Sequence, residues 1–449
     1  MKNYLSVLGA VAALVTNAAA QPATASPPTN RVAITSALIS QLAGEARTNN
    51  PSLKAADSRV RAATLNADAV RTWEDTMAMV GGSVYSDRGF KPSEDGNLAY
   101  GVEQKLPLWG RPKLARRVAK TEISMREAEV NYRAHQLRSD ITKALLKTAL
   151  VEQEVEIGDQ DLAWLQATDK AIENKYRTGQ ASVADTLQIQ NEFAKRNDTL
   201  RTDRRRLTHE HFTLNRLLNR DAGSPWPTLA LPPIAPEIPL SGKLLALALQ
   251  NEPKLKVLEQ EINQAAETAI LTRRTRLPEV SVGAETRRYS GDGGFRSSML
   301  TLRLSLPWMN GEKYRKDYER DKEKQKSAEH EHEDQVLMVR EELHHLAVGI
   351  EASRREALLY RDEILVRAMQ ALTSRLVEWE NGRGAFRDVL DARRLLLESQ
   401  LMSVRAMAEE HQLLAEMLLW AGLENLEALT PLANEPPLLP EHESHDRKP

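Results

Sequence analysis

No proline occurs between Pro112 and Pro225, or again between Pro307 and Pro431. A proline inside a helix removes a hydrogen bond and clashes with the preceding turn. Two proline-free stretches this long, rich in Ala, Leu, Glu, Lys and Arg, are therefore open to unusually long helices. Both are entered in the same way. Residues 100–122, YGVEQKLPLWGRPKLARRVAKTE, alternate like a strand as far as Leu106 and become charged and helical after Pro112. Residues 301–323, TLRLSLPWMNGEKYRKDYERDKE, repeat that change about 200 residues later.

The helical pattern covers roughly 113–220 and 312–426, and Gly179 and Gly382 interrupt it near each midpoint. Glycine beside polar residues in such a pattern marks a helix end or tight turn, so each stretch is expected to form a helical hairpin. Arms of about 40 to 65 residues would run on the order of 60 to 100 Å at 1.5 Å per residue. Such lengths point to a coiled coil or tube-like assembly. The spacings of Leu397, Leu401, Val404 and Ala408 fit that packing.

The repeated junction belongs to a wider duplication. NNPSLKAADSRVRAA at Asn49 pairs with QNEPKLKVLEQEINQAA at Gln250, and VGGSVYSDR near Val80 pairs with VSVGAETRR near Val280. LAYGVEQKLPLWG pairs with SMLTLRLSLPWMNG, and YRTGQASVADTLQIQ at Tyr176 with WENGRGAFRDVLDAR at Trp379. The order divides the chain into a first repeat at 21–220, a proline-rich extended linker at 221–241, a second repeat at 242–430 and a disordered tail at 431–449. Each repeat opens with a helix, at about 52–76 and 254–275. A strand pair follows at about 79–107 and 279–307, with DRGFKPSEDGN and RRYSGDGGFRS as the polar turns.

The strands place a strong demand on the fold. Leu300, Leu302, Leu304 and Leu306 alternate with Met299, Thr301, Arg303 and Ser305; Leu98, Tyr100, Val102 and Leu106 alternate with Ala99, Gly101, Glu103 and Lys105. Four such segments of about 9 to 11 residues suit strands that cross a bilayer with one face to lipid and one to water. Soluble hairpins packed on a helix are the competing reading. In lipid, unpaired strand edges are not viable, and four strands cannot close a barrel. Other copies of the chain must complete it: three would give twelve strands, with the helical hairpins closing a tube beneath.

Composition narrows the chemistry. The 61 basic and 63 acidic residues nearly cancel, so no global basic field points to nucleic acid. Without cysteine there are no disulfides, thiolate metal sites or thiol catalysis, and no lipid-modified N-terminal cysteine. Lys2, the apolar Leu5–Val15 and the small Ala18-Ala19-Ala20 read as a secretory signal over residues 1–20, with Ala25 as an alternative cleavage point. No later run of 18 apolar residues is present. No phosphate loop, GxSxG or HExxH occurs, so no enzyme and no cofactor is expected. His209 and His211, His330 and His332, and His344 and His345 are spaced so that the two rings of each pair do not share a helical face. They read as solvated helix surface, and His442 and His445 in the tail are ambiguous.

The signal, the tandem repeat, the strand pairs ending in LPLWG and LPWMNG, and the tips YRTGQASVADTL and WENGRGAFRDVLDA together resemble the TolC family of outer-membrane efflux proteins. The resemblance spans about Ser36 to Leu429. It implies a mainly α chain with a small membrane β part: a homotrimer with a shared twelve-stranded barrel, continued by an α-helical barrel in the periplasm. It also implies a passive duct in the cell outer membrane, docked by Tyr176, Gly179, Trp379 and Gly382 at its tips to a periplasmic adaptor and through it to an inner-membrane pump of the resistance-nodulation-division type. By the same resemblance Asp388 and Asp391, with Asp185 as the first hairpin's counterpart, would form the periplasmic entrance gate. Capping of the helix after Gly382-Arg383-Gly384 is the plainer role for these acids. Trp379 and Gly384 replace a tyrosine and a basic residue of the family pattern, which puts a hydrogen-bonded latch between hairpins in question. Pro107, Trp109 and Gly110, and Pro307, Trp308 and Gly311, would be the joints where strand becomes helix. The flanks of both joints are similar to members paired with heavy-metal pumps. A periplasmic adaptor or a soluble coiled-coil scaffold is the alternative function.

Overall fold

The computed structural model describes residues 31–82, 98–288, 295–429 and 431. The expected leader, the turn DRGFKPSEDGN, the centre of RRYSGDGGFRS and the tail with His442 and His445 lie outside the described residues. The first elements are β1 (Val32–Ala33), α1 (Ser36–Asn49), α2 (Pro51–Ala69), β2 (Met77–Gly82), β3 (Leu98–Lys105), α3 (Arg111–Arg177) and α4 (Val183–Leu218). Then come β4 (Leu229–Ala230), α5 (Gly242–Asn251), α6 (Pro253–Thr275), β5 (Val280–Arg288), β6 (Phe295–Leu304) and α7 (Gly311–Leu359). A π-helical turn at Tyr360–Ile364 leads into α8 (Leu365–Glu380), and α9 (Phe386–Trp420) closes the series. No described helix is long and apolar enough to cross a membrane.

Two compact units divide the chain, and neither coincides with one sequence repeat. One comprises Ser52–Arg133 and Asn251–Val339; the other comprises the chain up to Pro51, Ala134–Gln250 and the chain from Arg340. The first contains the principal sheet, four antiparallel strands in the order β2-β3-β5-β6. Its centre pairs strands from the two repeats, Val102 opposite Ala284 and Lys105 opposite Ser281. On one face Val80, Tyr100, Val102, Val282, Leu302 and Leu304 are exposed, and Leu300 is 89% exposed, so nothing among the described residues covers that face. On the other face Glu103 is buried, accepting from Ser281 Oγ at 2.5 Å and from Arg303 at 2.6 Å. β2 and β6 each keep an open edge among the described residues.

One boundary differs from that read in the sequence. α2 stops at Ala69 instead of continuing to about residue 76. Val70, Thr72 and Trp73 lose rotamer freedom in a helix, and the Val70 N–H reaches only Ala67, at 3.3 Å, in a tightened last turn. Among the described residues β2, β3, β5 and β6 have 6, 8, 9 and 10 residues, and the turn-side end of each lies at the limit of the described residues.

The other unit is helical. α3 and α4 form one hairpin, and α8 and α9 the end of a second. Both turns are Schellman motifs. Gly179 (φ 75°) donates to Tyr176 O and Gln180 to Lys175 O, at 3.0 and 2.7 Å; Gly382 (φ 70°) donates to Trp379 O and Arg383 to Glu378 O, at 3.1 and 2.9 Å. Leu165, Ile172 and Ile189 from one hairpin pack with Leu372, Phe386 and Val389 from the other beneath these turns. A second core joins Ile141, Leu145, Leu214 and Leu218 to Leu42 and Leu229. Along α9 the buried face passes through Ser399, Ser403 and Ala406, while Leu401 and Val404 are only half-buried. Small side chains at those positions leave room for neighbouring helices to approach.

The proline-rich segment at 221–241 is packed, where the sequence reading made it a plain linker. Leu229–Ala230 pairs in parallel with Val32–Ala33, and Leu229, Ala235 and Ile238 are buried. Prolines remove donors but leave carbonyls that still need partners. Arg354 donates to Ala235 O at 3.0 Å, and His411 Nε2 lies 2.9 Å from Pro233 O. Burial pushes the Glu410 carboxyl up to about 7, although it accepts the Ala235 N–H at 3.1 Å and feels Arg354. Burial likewise pushes His411 down, against its bond to Pro233.

Because Glu410 holds its proton more tightly folded than unfolded, its contribution is complete below the ordinary carboxylate range and is lost as pH rises through about 7. Glu410→Gln should therefore show a flatter Tm between pH 5 and 8 than the parent chain; parallel pH profiles would exclude this linkage. At the tips, no atom lies within 4 Å of a Cβ added at Gly179 or Gly382, so alanine there meets only the backbone cost of the left-handed region, about 1–2 kcal/mol. Limited trypsin cleavage after Arg177 in Gly179→Ala, and after Arg383 in Gly382→Ala, should accelerate on the order of tenfold. Unchanged cleavage would show that the turns hold for another reason.

Candidate functional site

Sequence reading singled out two places, the strand–helix joints and the hairpin tips. At the first joint the last sheet bond runs from Leu106 N–H to Val280 O at 2.8 Å, and Pro107 offers no further donor. Trp109 (φ 62°) and Gly110 (φ 70°) then take left-handed backbone, an unusual conformation for tryptophan. The Trp109 indole N–H donates to Pro278 O at 2.7 Å. Arg111, first in α3, donates to the carbonyls of Arg274, Thr275 and Leu277 at 3.2, 2.9 and 2.7 Å, and to Glu279 at 2.6 Å. These carbonyls lie at and just past the end of α6, where the helix offers few donors of its own. A side chain at the start of one long helix thus caps a helix of the other repeat.

The second joint is built differently. Ser305 N–H donates to Glu279 O at 2.9 Å, and buried Pro307 opens a 3-10 turn over Pro307–Asn310. Gly311 has φ −55°, ordinary helix that any residue adopts, so of the two joint glycines only Gly110 takes left-handed backbone. Trp308 and Met309 are exposed.

At the tips, the expected gate acids have three different environments. Asp185 is the third residue of α4 and completes a capping box: it accepts the Ser182 N–H at 3.0 Å and Oγ–H at 2.7 Å, while Ser182 Oγ accepts the Asp185 N–H. Its carboxylate is committed to holding the helix start. Asp388 lies in the first turn of α9, whose cap residue Ala385 offers no side chain, and its carboxylate is exposed without an ion pair among the described residues. Asp391 is exposed and paired with Arg394 at 2.8 Å, with Arg387 at 3.8 Å. Tyr176 is half exposed and contributes its carbonyl to the first turn.

Several groups that tie the hairpins together were not singled out in the sequence. Lys175 Nζ lies 3.8 Å from the centroid of the Trp379 ring, which in turn packs on Phe386 at 5.4 Å. Arg394 bonds Glu192 at 2.6 Å, and this guanidinium holds the Glu192 carboxyl below the usual range despite partial burial. Asp161, only 4% exposed, accepts from Arg196 at 2.9 Å and Arg393 at 2.8 Å, and Arg393 also stacks over Trp164 at 4.9 Å. Two turns earlier on α3, buried Glu154 meets Arg405 at 2.7 Å and Arg206 at 3.0 Å. Each carboxylate is shared between α4 and α9. The seven-residue spacing of Glu154 and Asp161 was the available signal, since it sets both acids on one helix face.

No group of three or more histidine, aspartate or glutamate side chains among the described residues could hold a metal ion. His330 lies 3.2 Å from Glu333, and His211 is 3.7 Å from Glu152.

Residues 42–220 and 244–419 match the family described as outer membrane efflux protein, in two separate stretches. A search of curated proteins finds no match. The fold is similar to that of the outer membrane protein VceC from Vibrio cholerae, at 18% identity over 86% of this chain and 96% of that one, with a TM-score of 0.72. It is also similar to CusC, a protein of transmembrane channel formation, at 15% identity over 86% and 92% with a TM-score of 0.73. The open state of the Neisseria gonorrhoeae outer membrane channel MtrE matches at 16% identity over 86% and 89%, with a TM-score of 0.67. Such proteins are transport ducts, not enzymes. With a match over both of these stretches, which together take in most of its length, the chain belongs to the outer membrane efflux protein family.

Proposed function

We propose that three copies of this chain form the outer-membrane exit duct of a three-part export system. The observation that carries this reading is the four-stranded sheet, with one uncovered apolar face and two open edges. In lipid those edges require partners, and three sheets joined edge to edge make a twelve-stranded barrel. The two separate family matches support a tandem repeat. The tips carrying Tyr176, Gly179, Trp379 and Gly382 face the periplasm and dock on an adaptor, and an inner-membrane pump of the resistance-nodulation-division type supplies the energy. The exported compounds are heavy-metal cations or small toxic molecules. The exposed sheet face and the family membership favour this duct over a periplasmic adaptor or a soluble scaffold.

At the entrance Asp388 and Asp391 form acidic rings in the trimer that concentrate cations. Asp185 supports the gate indirectly by capping α4. Lys175 over Trp379 holds the two hairpins together, a cation–π contact in place of a hydrogen-bonded latch. An exposed contact of this type is worth about 0.5–1 kcal/mol.

Asp388→Ala combined with Asp391→Ala should raise single-channel conductance in planar bilayers and weaken block by cations. Unchanged conductance and block would sink the gate assignment. Lys175→Ala and Trp379→Ala should each raise open probability about two- to fivefold, matching the loss of that one contact, while Lys175→Arg should remain near the parent. Equal behaviour of the arginine and alanine variants would remove the latch.

A further inference from the structure

One cavity within the sheet-bearing unit is absorbed by neither the joints nor the gate. It measures about 410 Å³ and is lined by Ala269, Ile270 and Leu277, by Tyr318, and by the cations Arg273, Arg274, Arg276 and Lys322. No carboxylate lines it. The nearby acids are engaged elsewhere: Asp321 with Thr272 at 2.7 Å and Arg320 at 2.8 Å, and Glu267 with Arg117. Among the described residues the guanidiniums of Arg273, Arg274 and Arg276 have no hydrogen-bond or ion-pair partner.

Basic residues in the last turn of a helix commonly answer its dipole and free carbonyls. Here Arg111 already donates to the carbonyls of Arg274, Thr275 and Leu277, and the side chains of the three arginines donate to none of them. They gather like charge at a cost that an anion would relieve. The rest of the lining is mostly apolar: Ala269 is buried, Leu277 half-buried and Ile270 exposed, beside the Tyr318 ring. Cations and aliphatic surface in one cavity suit an amphiphile more than a bare ion. Position sets the class of amphiphile. Arg276 precedes the first residue of β5, Val280, by four positions, at most roughly 14 Å of extended chain. The uncovered apolar face of the sheet starts with that strand, so the cavity lies at the level where acyl chains give way to headgroups.

We propose that this cavity binds the phosphate of an anionic phospholipid, with its glycerol and first acyl carbons on Ile270, Leu277 and the Tyr318 ring. The proposal rests on the reading of the sheet as membrane-embedded, and it adds a lipid ligand to that reading. Bound at the strand–helix boundary, the lipid would neutralise a charge cluster that the chain leaves open.

The test uses the full-length protein in detergent, offered phosphatidylglycerol or phosphatidylcholine in mixed micelles, with bound lipid counted by native mass spectrometry. Phosphatidylglycerol should be retained preferentially. Arg273→Gln with Arg274→Gln and Arg276→Gln should weaken its binding on the order of a hundredfold. The same three positions changed to lysine should keep most of it, which separates loss of charge from loss of fold. Arg201→Gln with Arg205→Gln, exposed on α4, should change nothing. Equal retention by the glutamine variant would overturn the proposal, as would displacement of the lipid by excess inorganic phosphate, which would make the ligand a free anion. If a neighbouring copy fills the cavity with a carboxylate, the parent will bind no phosphatidylglycerol, which also overturns it. Conductance of the Asp388 and Asp391 variants is measured independently, so failure here leaves the duct reading to its own test.

Discussion

The antiparallel pairing of β3 with β5, Leu98–Lys105 against Ser281–Arg288, is the interaction on which the other features depend. A two-stranded hairpin alone is at best marginal in water. Joined at this seam, two hairpins become a four-stranded sheet with a definite apolar face. The same seam sets the first strand–helix joint beside the connection from α6 to β5. Only then can Trp109 reach the Pro278 carbonyl and Arg111 cap α6. The buried Glu103, held by Ser281 and Arg303, fastens three of the strands from the opposite face.

In the helical unit, charge performs the corresponding work. Burying a carboxylate is costly unless it is paired and hydrogen-bonded, and a broken buried pair leaves an uncompensated charge. Asp161 and Glu154 are each shared by arginines from both hairpins, so sliding one hairpin along the other would strand a buried charge. These pairs specify register more than they add stability. The contact nearer the tips, Lys175 on Trp379, involves less buried groups and is cheaper to break. The firmest ties therefore lie away from the end where an entrance would have to move.

Sequence period and composition report local physics well. Alternation at Leu300, Leu302 and Leu304 reports a two-faced strand, because side chains on a strand alternate by geometry. Glycine at the end of a helical run reports a left-handed residue, and Gly179 and Gly382 both have one. Where the same residue type serves different local needs, the reading falters. Gly311 matches Gly110 in the repeat but sits in ordinary helix, because the proline turn before it has already redirected the chain. Asp185 matches Asp388, yet Ser182 recruits it as a cap, while Ala385 leaves Asp388 free. The packing of the proline-rich segment depends on Arg354, Glu410 and His411, more than 100 residues away, and no local pattern encodes such contacts. Arg111 on α6 is invisible in sequence for the same reason.

The distance in sequence across the β3–β5 seam has a consequence for the order of folding. Its two strands lie about 180 residues apart, with α3, α4 and α6 made in between. Contacts of such long separation are slow, since a large loop must close before they yield anything. The helices, whose bonds are local, can form while the seam is still open. The first strand pair cannot complete a sheet until the second has been synthesised and delivered. The apolar sheet face is thus withheld until β6 has been made, which limits the time during which a partial molecule could aggregate through its unpaired edges.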